Sequence, residues 1–288
     1  MNFQSFNDLM RCLEANLSSV RDADLFVGIP RSGLLVAHLL ALQLHKPMAE
    51  LNGFLRGNII SAGKRLTSTP EQYSRVVIID DSALTGAEMR NARKKVLAAG
   101  LAEKVRFGCV YADARAMPEL DFWFEQVPYP RLFEWNIFHH TMISEACVDM
   151  DGVLCHDPTG EENDEGERYE LFLQDAKPRF LPEIRIGAIV TCRLEKYRAQ
   201  TERWLEKHKV RYSKLIMMPC QSKAERLAMG HGVFKAGVYG SGKFRLFLES
   251  SLEQSKEIFS RTNRPVFCVE QKCMLARSDA DLIIPSLK

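Results

Sequence analysis

The stretch Val76-Val77-Ile78-Ile79-Asp80-Asp81-Ser82-Ala83-Leu84-Thr85-Gly86 is the strongest indication of the fold of the first half of this chain. Its run of β-branched residues predicts a buried strand over 75–79, and the two acids mark the carboxyl end of that strand. The small residues that follow predict a tight turn into a helix over 87–99. A strand, a turn and a helix in this order are typical of parallel α/β sheets, which bind ligands at the carboxyl ends of their strands.

A second stretch, Cys147-Val148-Asp149-Met150-Asp151-Gly152-Val153-Leu154, begins a separate α/β pattern in the second half. Short apolar runs alternate with amphipathic helical patterns on both sides of it, as in sheets with crossover helices. At 288 residues the chain is long enough for two hydrophobic cores. We therefore predict two different α/β domains, over residues 1–142 and 143–288.

The same alternation predicts the order of the other elements. Further strands are expected over 24–29, 47–51, 104–111, 146–149, 186–191, 214–218, 245–248 and 265–269. Further helices are expected over 34–44, 195–208, 221–230 and 252–261. Polar loops are expected over 52–69 and 160–170, and a glycine-rich irregular segment is expected up to Lys243.

Composition excludes several classes of protein. A net charge of +2 argues against a nucleic-acid partner, which usually requires a strong basic excess. No run approaches the roughly 20 apolar residues of a membrane span, and no secretory signal is visible, so we expect a cytoplasmic protein without a membrane partner. The eight cysteines contain no Cys-x-x-Cys and are expected to be buried free thiols. A homodimer stays open.

Asp80 and Asp81 suit the binding of a phosphorylated ribose. At the end of a parallel strand their carboxylates would face the ribose hydroxyls, which are good hydrogen-bond donors. The backbone N–H groups of the following turn suit a 5′-phosphate at a helix N-terminus. That turn consists of Ser82, Ala83, Leu84, Thr85 and Gly86. Taken alone, the residues are equally consistent with a capped helix, in which Asp81 or Ser82 satisfies free N–H groups.

This segment resembles the phosphoribosyl-diphosphate signature of type I phosphoribosyltransferases, and the resemblance extends in element order over roughly residues 1–140. The segment Gly28–Gly33 resembles that family's diphosphate loop, so Arg31, Ser32 and Gly33 would contact the leaving group. The resemblance implies transfer of a phosphoribosyl group between phosphoribosyl diphosphate (PRPP) and a base. Mg²⁺ would bridge diphosphate and ribose oxygens.

One departure from that family is visible. Leu84 stands where the family usually has another Ser or Thr, so one phosphate hydrogen bond is missing. The family's flexible catalytic loop would fall at 52–69, where Lys64 or Arg65 would reach over the diphosphate. Base recognition would come from the first 20 residues or from 118–135, and nothing in the sequence identifies the base.

The Asp-x-Asp-Gly of the second stretch suits the removal of a phosphate group. Asp149 can attack phosphorus and form an aspartyl-phosphate. Asp151 can protonate the leaving oxygen and then activate water. Two carboxylates beside a phosphate dianion require a cation, so Mg²⁺ is expected here as well.

The second half resembles the haloacid dehalogenase (HAD) superfamily of phosphotransferases over about residues 145–285. The resemblance implies a Rossmann-like domain with a small cap, because Thr191 follows Asp151 by only 40 positions. It implies that Thr191 binds the phosphoryl group and that Lys235 supplies the family's lysine. Glu249 would join Asp149 and Asp151 as a metal ligand.

Other interpretations stay open for two of these residues. Thr191 alone is consistent with an ordinary helix N-cap, and Lys235 alone with a solvated lysine. Lys243 is the alternative candidate for the family's lysine.

Together the two stretches predict a bifunctional enzyme of nucleotide metabolism, in which a phosphatase acts on the nucleotide-like product of a phosphoribosyltransferase. The expected partners are small molecules, namely PRPP and a base or a nucleotide-like phosphate. A phosphatase controlled by a non-catalytic PRPP-binding or nucleotide-binding domain is the alternative, and Leu84 favours it. A non-catalytic assembly or toxin-system component is a further alternative, disfavoured by the intact Asp149, Asp151 and Thr191.

Overall fold

The computed structural model describes residues 1–60, 73–163 and 166–276 of the chain. The chain divides into two compact units, Asn2–Arg131 and Leu132–Lys288, and Met1 groups with the second. Residues 132–142, which the sequence analysis assigned to the first domain, belong to the second unit. Phe138 in this segment stacks on Phe180 with ring centroids 4.2 Å apart, which ties it to the second unit.

Strands and helices alternate through the first unit. In chain order they are β1 (Asn2–Gln4), α1 (Phe6–Asn16), β2 (Leu25–Gly28), α2 (Gly33–Leu44), β3 (Met48–Glu50), α3 (Leu51–Leu55), β4 (Val76–Ala83), α4 (Ala87–Ala98), β5 (Val105–Ala112) and β6 (Phe122–Gln126), followed by β7 (Arg131–Phe133) where the units divide. Five strands pair in parallel in the order β3-β2-β4-β5-β6. The predicted parallel α/β sheet of the first half is confirmed.

The second unit has its own sheet. Its elements are β8 (Ala146–Val148), α5 (Glu167–Asp175), β9 (Ala188–Leu194), α6 (Arg198–Lys207), β10 (Leu215–Met218), α7 (Lys223–Met229), α8 (His231–Ser241), β11 (Leu246–Glu249), α9 (Leu252–Thr262), β12 (Val266–Cys268) and β13 (Cys273–Leu275). The strand order is β10-β9-β8-β11-β12-β13. All neighbours pair in parallel except β12 and β13, which are antiparallel.

Each unit has its own hydrophobic core. Strand β4 lies in the middle of the first sheet, and its residues Val76–Ile79 are all buried. In the second unit Cys147, Val190 and Phe247 from three neighbouring strands are fully buried. All eight cysteines are free, as predicted, and six of them are buried, whereas Cys192 and Cys273 are half-buried. No helix among the described residues is long and apolar enough to cross a membrane.

Two strands extend further than the sequence predicted. Strand β4 continues to Ala83 instead of ending at Ile79, because it stays paired with β5 up to Ala83 opposite Ala112. Asp80 and Asp81 therefore lie within the strand. Strand β9 continues to Leu194 instead of ending at Thr191. The interpretation of Thr191 as a helix N-cap is therefore wrong.

Three segments expected to be irregular contain helices. The expected loop over 52–69 overlaps α3, the expected loop over 160–170 contains the start of α5, and the glycine-rich segment up to Lys243 contains α8. Helix α8 buries Gly232, Lys235, Ala236 and Tyr239, which follow each other at helical spacing. A Cβ at Gly232 would collide with the Glu257 side chain on α9, so a glycine here permits close helix packing.

Candidate functional site

Asp80 and Asp81 lie near the carboxyl end of the central strand β4. Asp81 is buried and Asp80 is half-buried, and the Asp81 backbone N–H donates to Asp80 Oδ1 at 2.8 Å. Burial, followed by the neighbouring Asp81 carboxylate, raises the pKa of Asp80 well above its usual range. The pair is therefore suited to accept a cation or the hydrogen bonds of a hydroxyl-rich ligand.

The predicted loop over Gly28–Gly33 lies directly beside these acids. The Ile29 N–H donates to the Ile79 carbonyl at 3.0 Å. A Cβ on Gly33 would lie 2.7 Å from the Ile79 oxygen and 3.0 Å from Asp80 Oδ1, so only glycine allows this approach. Arg31 is exposed and Ser32 half-buried in the loop, and the peptide bond between Pro30 and Arg31 is cis. The structure thus brings the two predicted segments together.

The turn after β4 is built differently from either sequence interpretation. Ser82 and Ala83 belong to the strand, and Leu84 and Thr85 are exposed in the turn. Helix α4 has Gly86 as its N-cap, at a φ of 72° that favours glycine, and no side chain caps it. The interpretation that Asp81 or Ser82 caps this helix is therefore wrong. Lys64 and Arg65 lie outside the described residues.

A second group of side chains surrounds the ammonium of Lys235 on α8. Lys235 Nζ donates to Asp149 Oδ2 and to Glu249 Oε2, each at 2.7 Å, and to Gln254 Oε1 at 2.9 Å. Asp149 directly follows β8, and Glu249 ends β11. Lys235 is 2% exposed and Glu249 is fully buried. The interpretation of Lys235 as a solvated lysine is wrong, whereas Lys243 is exposed.

Burial and charge determine the protonation of this group. Burial, and next the Glu249 carboxylate, raise the pKa of Asp149 well above its usual range, while the Lys235 ammonium acts in the opposite direction. Burial disfavours the Lys235 ammonium, but the carboxylates of Asp149 and Glu249 outweigh it and raise the pKa of Lys235. Lys235 is therefore charged, and its ammonium lies between the carboxyl groups of Asp149 and Glu249.

Asp151 is held by a residue that the sequence analysis missed. Arg193 Nη2 donates to Asp151 Oδ1 at 2.6 Å, and Arg193 Nε lies 3.1 Å from both carboxylate oxygens. The Arg193 side chain is fully buried and that of Asp151 is 21% exposed. A sequence signal for Arg193 was available. Side chains two residues apart in a strand point to the same face, so Arg193 lies on the same face of β9 as Thr191. The Arg193 N–H donates to Thr191 Oγ1 at 3.2 Å.

Asp149, Asp151, Thr191 and Lys235 line one cavity of about 130 Å³. The segment between Asp151 and Thr191 contributes further lining residues. These are Asp157, Pro158, Asn163 and Tyr169. Later elements add Cys192, Arg193, Arg226, His231, Ser250 and Gln254. No local sequence signal indicated Asp157, Arg226 or His231, because only the tertiary fold brings them to the cavity.

The carboxylate oxygens around Lys235 and Arg193 suit a hard cation, but no three of the described side chains point at one position where they could bind it. Within residues 1–60, 73–163 and 166–276, no group of three His, Cys, Asp or Glu side chains is placed to hold a metal ion. Asp149 and Glu249 both point at Lys235, and Asp151 points at Arg193. When Asp149 and Glu249 are both ionised, their charge exceeds that of the one ammonium, and Mg²⁺ would offset the excess while it takes the oxygen ligands that it prefers.

Comparison with known proteins gives matches only among solved structures. No model of a known protein family matches the chain, and no curated protein matches it. A purine phosphoribosyltransferase from Pyrococcus horikoshii is 19% identical, over 46% of this chain and 92% of that chain, with a TM-score of 0.36. A xanthine-guanine-hypoxanthine phosphoribosyltransferase from Helicobacter pylori is 12% identical, over 47% and 93%, with a TM-score of 0.38.

An orotate phosphoribosyltransferase from Aeropyrum pernix is 18% identical, over 42% of this chain and 72% of that chain, with a TM-score of 0.30. Identities below 20% and TM-scores below 0.5 do not establish an activity. The chemistry of this protein follows from its own side chains.

Proposed function

We propose that this protein is a bifunctional enzyme, in which a PRPP-dependent phosphoribosyltransferase unit is joined to a HAD-type phosphatase unit. The observation that carries the phosphatase half is the Lys235 ammonium, 2.7 Å from both Asp149 and Glu249. The sequence order selected five residues. Four of them line one cavity, and the fifth binds Lys235 beside it: Asp149, Asp151, Thr191 and Lys235 in the cavity, and Glu249 next to it. A chance set of acids, hydroxyl and lysine has no reason to converge in this way.

In the phosphatase half, an Asp149 oxygen attacks the phosphorus of a phosphomonoester and forms an aspartyl-phosphate as the bond to the leaving oxygen breaks. Asp151 gives that oxygen its proton. Asp151 then takes a proton from a water molecule, whose oxygen attacks phosphorus and releases Asp149 and inorganic phosphate. Thr191 would donate a hydrogen bond to a phosphoryl oxygen, and Lys235 would keep Asp149 in place.

Mg²⁺ would neutralise the phosphoryl oxygens when bound. Its proposed ligands are Asp149, Asp151 and Glu249, which in this structure point at Lys235 and Arg193 and not at one shared position. The raised pKa of Asp149 supports this requirement, because the attacking group must be an anion. Lys235 alone does not balance the charges of Asp149 and Glu249, so a second cation favours the reactive form of Asp149.

In the transferase half, Asp80 and Asp81 would orient the ribose hydroxyls while positive charge develops at the anomeric carbon. The N–H groups of the turn over 84–86, at the start of α4, would hold the 5′-phosphate, and the loop bearing Arg31, Ser32 and Gly33 would hold the diphosphate with Mg²⁺. The closeness of Gly33 to Asp80 supports one shared ligand for both segments.

A second function is favoured by Leu84, whose side chain is 37% exposed in the turn where a hydroxyl would bind phosphate. In this function the first unit binds PRPP or a nucleotide without catalysis and controls the phosphatase. A domain that only senses a ligand must bind it, but it does not need every phosphate contact that a transferase needs for catalysis.

Release of phosphate and of diphosphate by the full chain with Mg²⁺ tests both functions. The substrates are nucleoside monophosphates, and bases together with PRPP. We expect Asp81→Asn to lose diphosphate release alone and Asp149→Asn to lose phosphate release alone. Phosphate release without any diphosphate release would favour the regulated phosphatase, and release of neither would refute the proposal.

The coupling of the two reactions rests on their fusion in one chain. If the phosphatase serves the transferase product, the kcat/KM of the full chain for nucleoside and ribose monophosphates exceeds that for unrelated phosphoesters. Equal values for both groups would contradict the coupling and leave the two activities standing.

A further inference from the structure

Three buried polar atoms in the cavity of Asp149 have no hydrogen-bond partner among the described residues. They are Arg226 Nε, His231 Nε2 and Asn163 Oδ1. Arg226 is only 7% exposed. Buried polar groups are nearly always hydrogen-bonded, and a buried guanidinium in particular requires an opposite charge. A group bound in this cavity can supply partners to all three atoms.

The other cations of this cavity are already paired. Lys235 is bound by Asp149 and Glu249, and Arg193 is bound by Asp151. Arg226 makes no ion pair with any described residue. Asp157, the remaining acid of the lining, lies instead beside Gly152. One positive charge of the described lining is therefore available for a ligand.

Helices α7 and α8 determine where the Arg226 charge lies relative to Lys235 and Asp149. Arg226 lies on α7, and His231 is the first residue of α8. His231 and Lys235 are four residues apart on α8, so their Cβ atoms are separated by about 5–6 Å on one helix face. Burial, and then the charges of Arg226 and Lys235, lower the pKa of His231, so its imidazole is neutral near pH 7.

We propose that Arg226, His231 and Asn163 form a second anion subsite, which selects phosphomonoesters carrying another anionic group about one helix turn from the scissile phosphate. The second group is a phosphate or a carboxylate. Arg226 supplies the charge, and the neutral His231 and Asn163 supply hydrogen bonds. The proposal rests on the phosphatase function above and names the class of substrate that it takes.

Two matched pairs of substrates test the subsite with the full chain and Mg²⁺. 3-Phosphoglycerate and glycerol 3-phosphate differ in a carboxylate, and ribose 1,5-bisphosphate and ribose 5-phosphate differ in a phosphate. We expect kcat/KM to favour the doubly anionic member of at least one pair by about 10- to 100-fold, the range of a hydrogen-bonded charge. The pair with the larger ratio identifies carboxylate or phosphate.

Arg226→Met should reduce that ratio to about one and change kcat/KM for the singly anionic substrate by less than about threefold. Arg226→Lys should restore part of the preference because it keeps the charge. Arg203→Met, at an exposed arginine on α6, is the matched control and should leave the ratio unchanged. A thermal melt of each variant detects a loss of folding.

Equal turnover of both members of each pair by the wild type would overturn the subsite and leave the phosphatase intact. An equal loss on both members in Arg226→Met would also overturn it, because that result indicates a structural role. If the wild type hydrolyses none of the four compounds, the phosphatase proposal fails for these substrates. Calorimetric binding of the same pairs then decides the subsite, and equal affinities within each pair would refute it.

Discussion

At the residue scale, the two carboxylate oxygens of Asp151, the proposed general acid, have different hydrogen-bond partners because of Arg193. Oδ1 accepts from Arg193 Nε, Arg193 Nη2 and Cys155 Sγ, whereas Oδ2 accepts from Arg193 Nε alone. Oδ2 is therefore the oxygen with room for a proton. A fork-like, two-atom contact also fixes the plane of the carboxylate, which a single contact cannot do.

Arg193→Met should impair the reaction according to the leaving group. An alkyl phosphate needs a proton on its leaving oxygen, so its kcat/KM should fall by about 100-fold. p-Nitrophenyl phosphate has a stable leaving anion, and its kcat/KM should fall by less than about tenfold. Steady-state kinetics on both substrates measure the difference, and Asp151→Asn should show the same pattern. Equal losses on the two substrates would assign Arg193 a structural role instead.

Lys235 has a matched control in Lys243, the exposed lysine eight residues further on. Lys235→Met leaves Asp149 and Glu249 buried without their shared cation, so we expect the free energy of unfolding to fall by about 3–5 kcal/mol. Lys243→Met should change it by less than about 0.5 kcal/mol. Urea unfolding of the two variants makes the comparison. Similar small effects would mean that the acids find another partner when Lys235 is removed.

At the element scale, the sequence predicted strands better than the ends of strands. The apolar run Val76–Ile79 was sufficient to predict β4, but Asp80 and Asp81 are poor strand formers and marked a false end. Pairing with β5 keeps these acids in the strand, and that contact is not local in sequence. Asp149 and Asp151 both follow β8, whereas Thr191, Lys235 and Glu249 come from β9, α8 and β11, so their order along the chain could be read from the alternation of elements.

Helix α8 was missed because its glycines are turn signals when they are read locally. Gly232 has a packing role against Glu257, which no local pattern reveals. Arg226 and His231 were missed for the same reason, since their contribution depends on how α7 and α8 face the cavity. The residues of a site that tertiary packing alone assembles cannot be found from spacing.

Glycine at position 33 controls the approach of α2 to β4. In Gly33→Ala the new Cβ would overlap the Ile79 carbonyl and press on Asp80, so α2 must move. We expect a loss of about 1–3 kcal/mol in unfolding free energy and weaker binding of PRPP. Urea unfolding and calorimetric titration with PRPP measure the two effects.

Gly237→Ala is the control for that substitution. A Cβ at Gly237 meets nothing within 4 Å, and the residue lies in the exposed part of α8. Alanine should stabilise the helix there by up to about 1 kcal/mol and leave PRPP binding unchanged. If Gly33→Ala behaved like Gly237→Ala, the close approach of α2 to β4 would not be needed for binding.

At the scale of the whole molecule, the two units have separate sheets and separate cores, and each proposed site is built from one unit. Ile78 in β4 and Ile258 in α9 are both fully buried, one in each core. Truncating either to valine removes one buried methyl group and should cost about 0.5–1.5 kcal/mol. If the units unfold independently, each substitution should lower only one of two calorimetric transitions, by roughly 2–8 °C.

Ligands should raise the midpoint temperatures of the same two unfolding transitions that the substitutions lower. PRPP at about 100 times its Kd stabilises the unit that binds it by about 2.7 kcal/mol. We therefore expect PRPP to raise the transition that Ile78→Val lowers, and inorganic phosphate with Mg²⁺ to raise the one that Ile258→Val lowers. A single transition that responds to both substitutions and both ligands would show that the units unfold together. Ligand binding in the first unit would then stabilise the second, which is the energetic link that a regulated phosphatase requires.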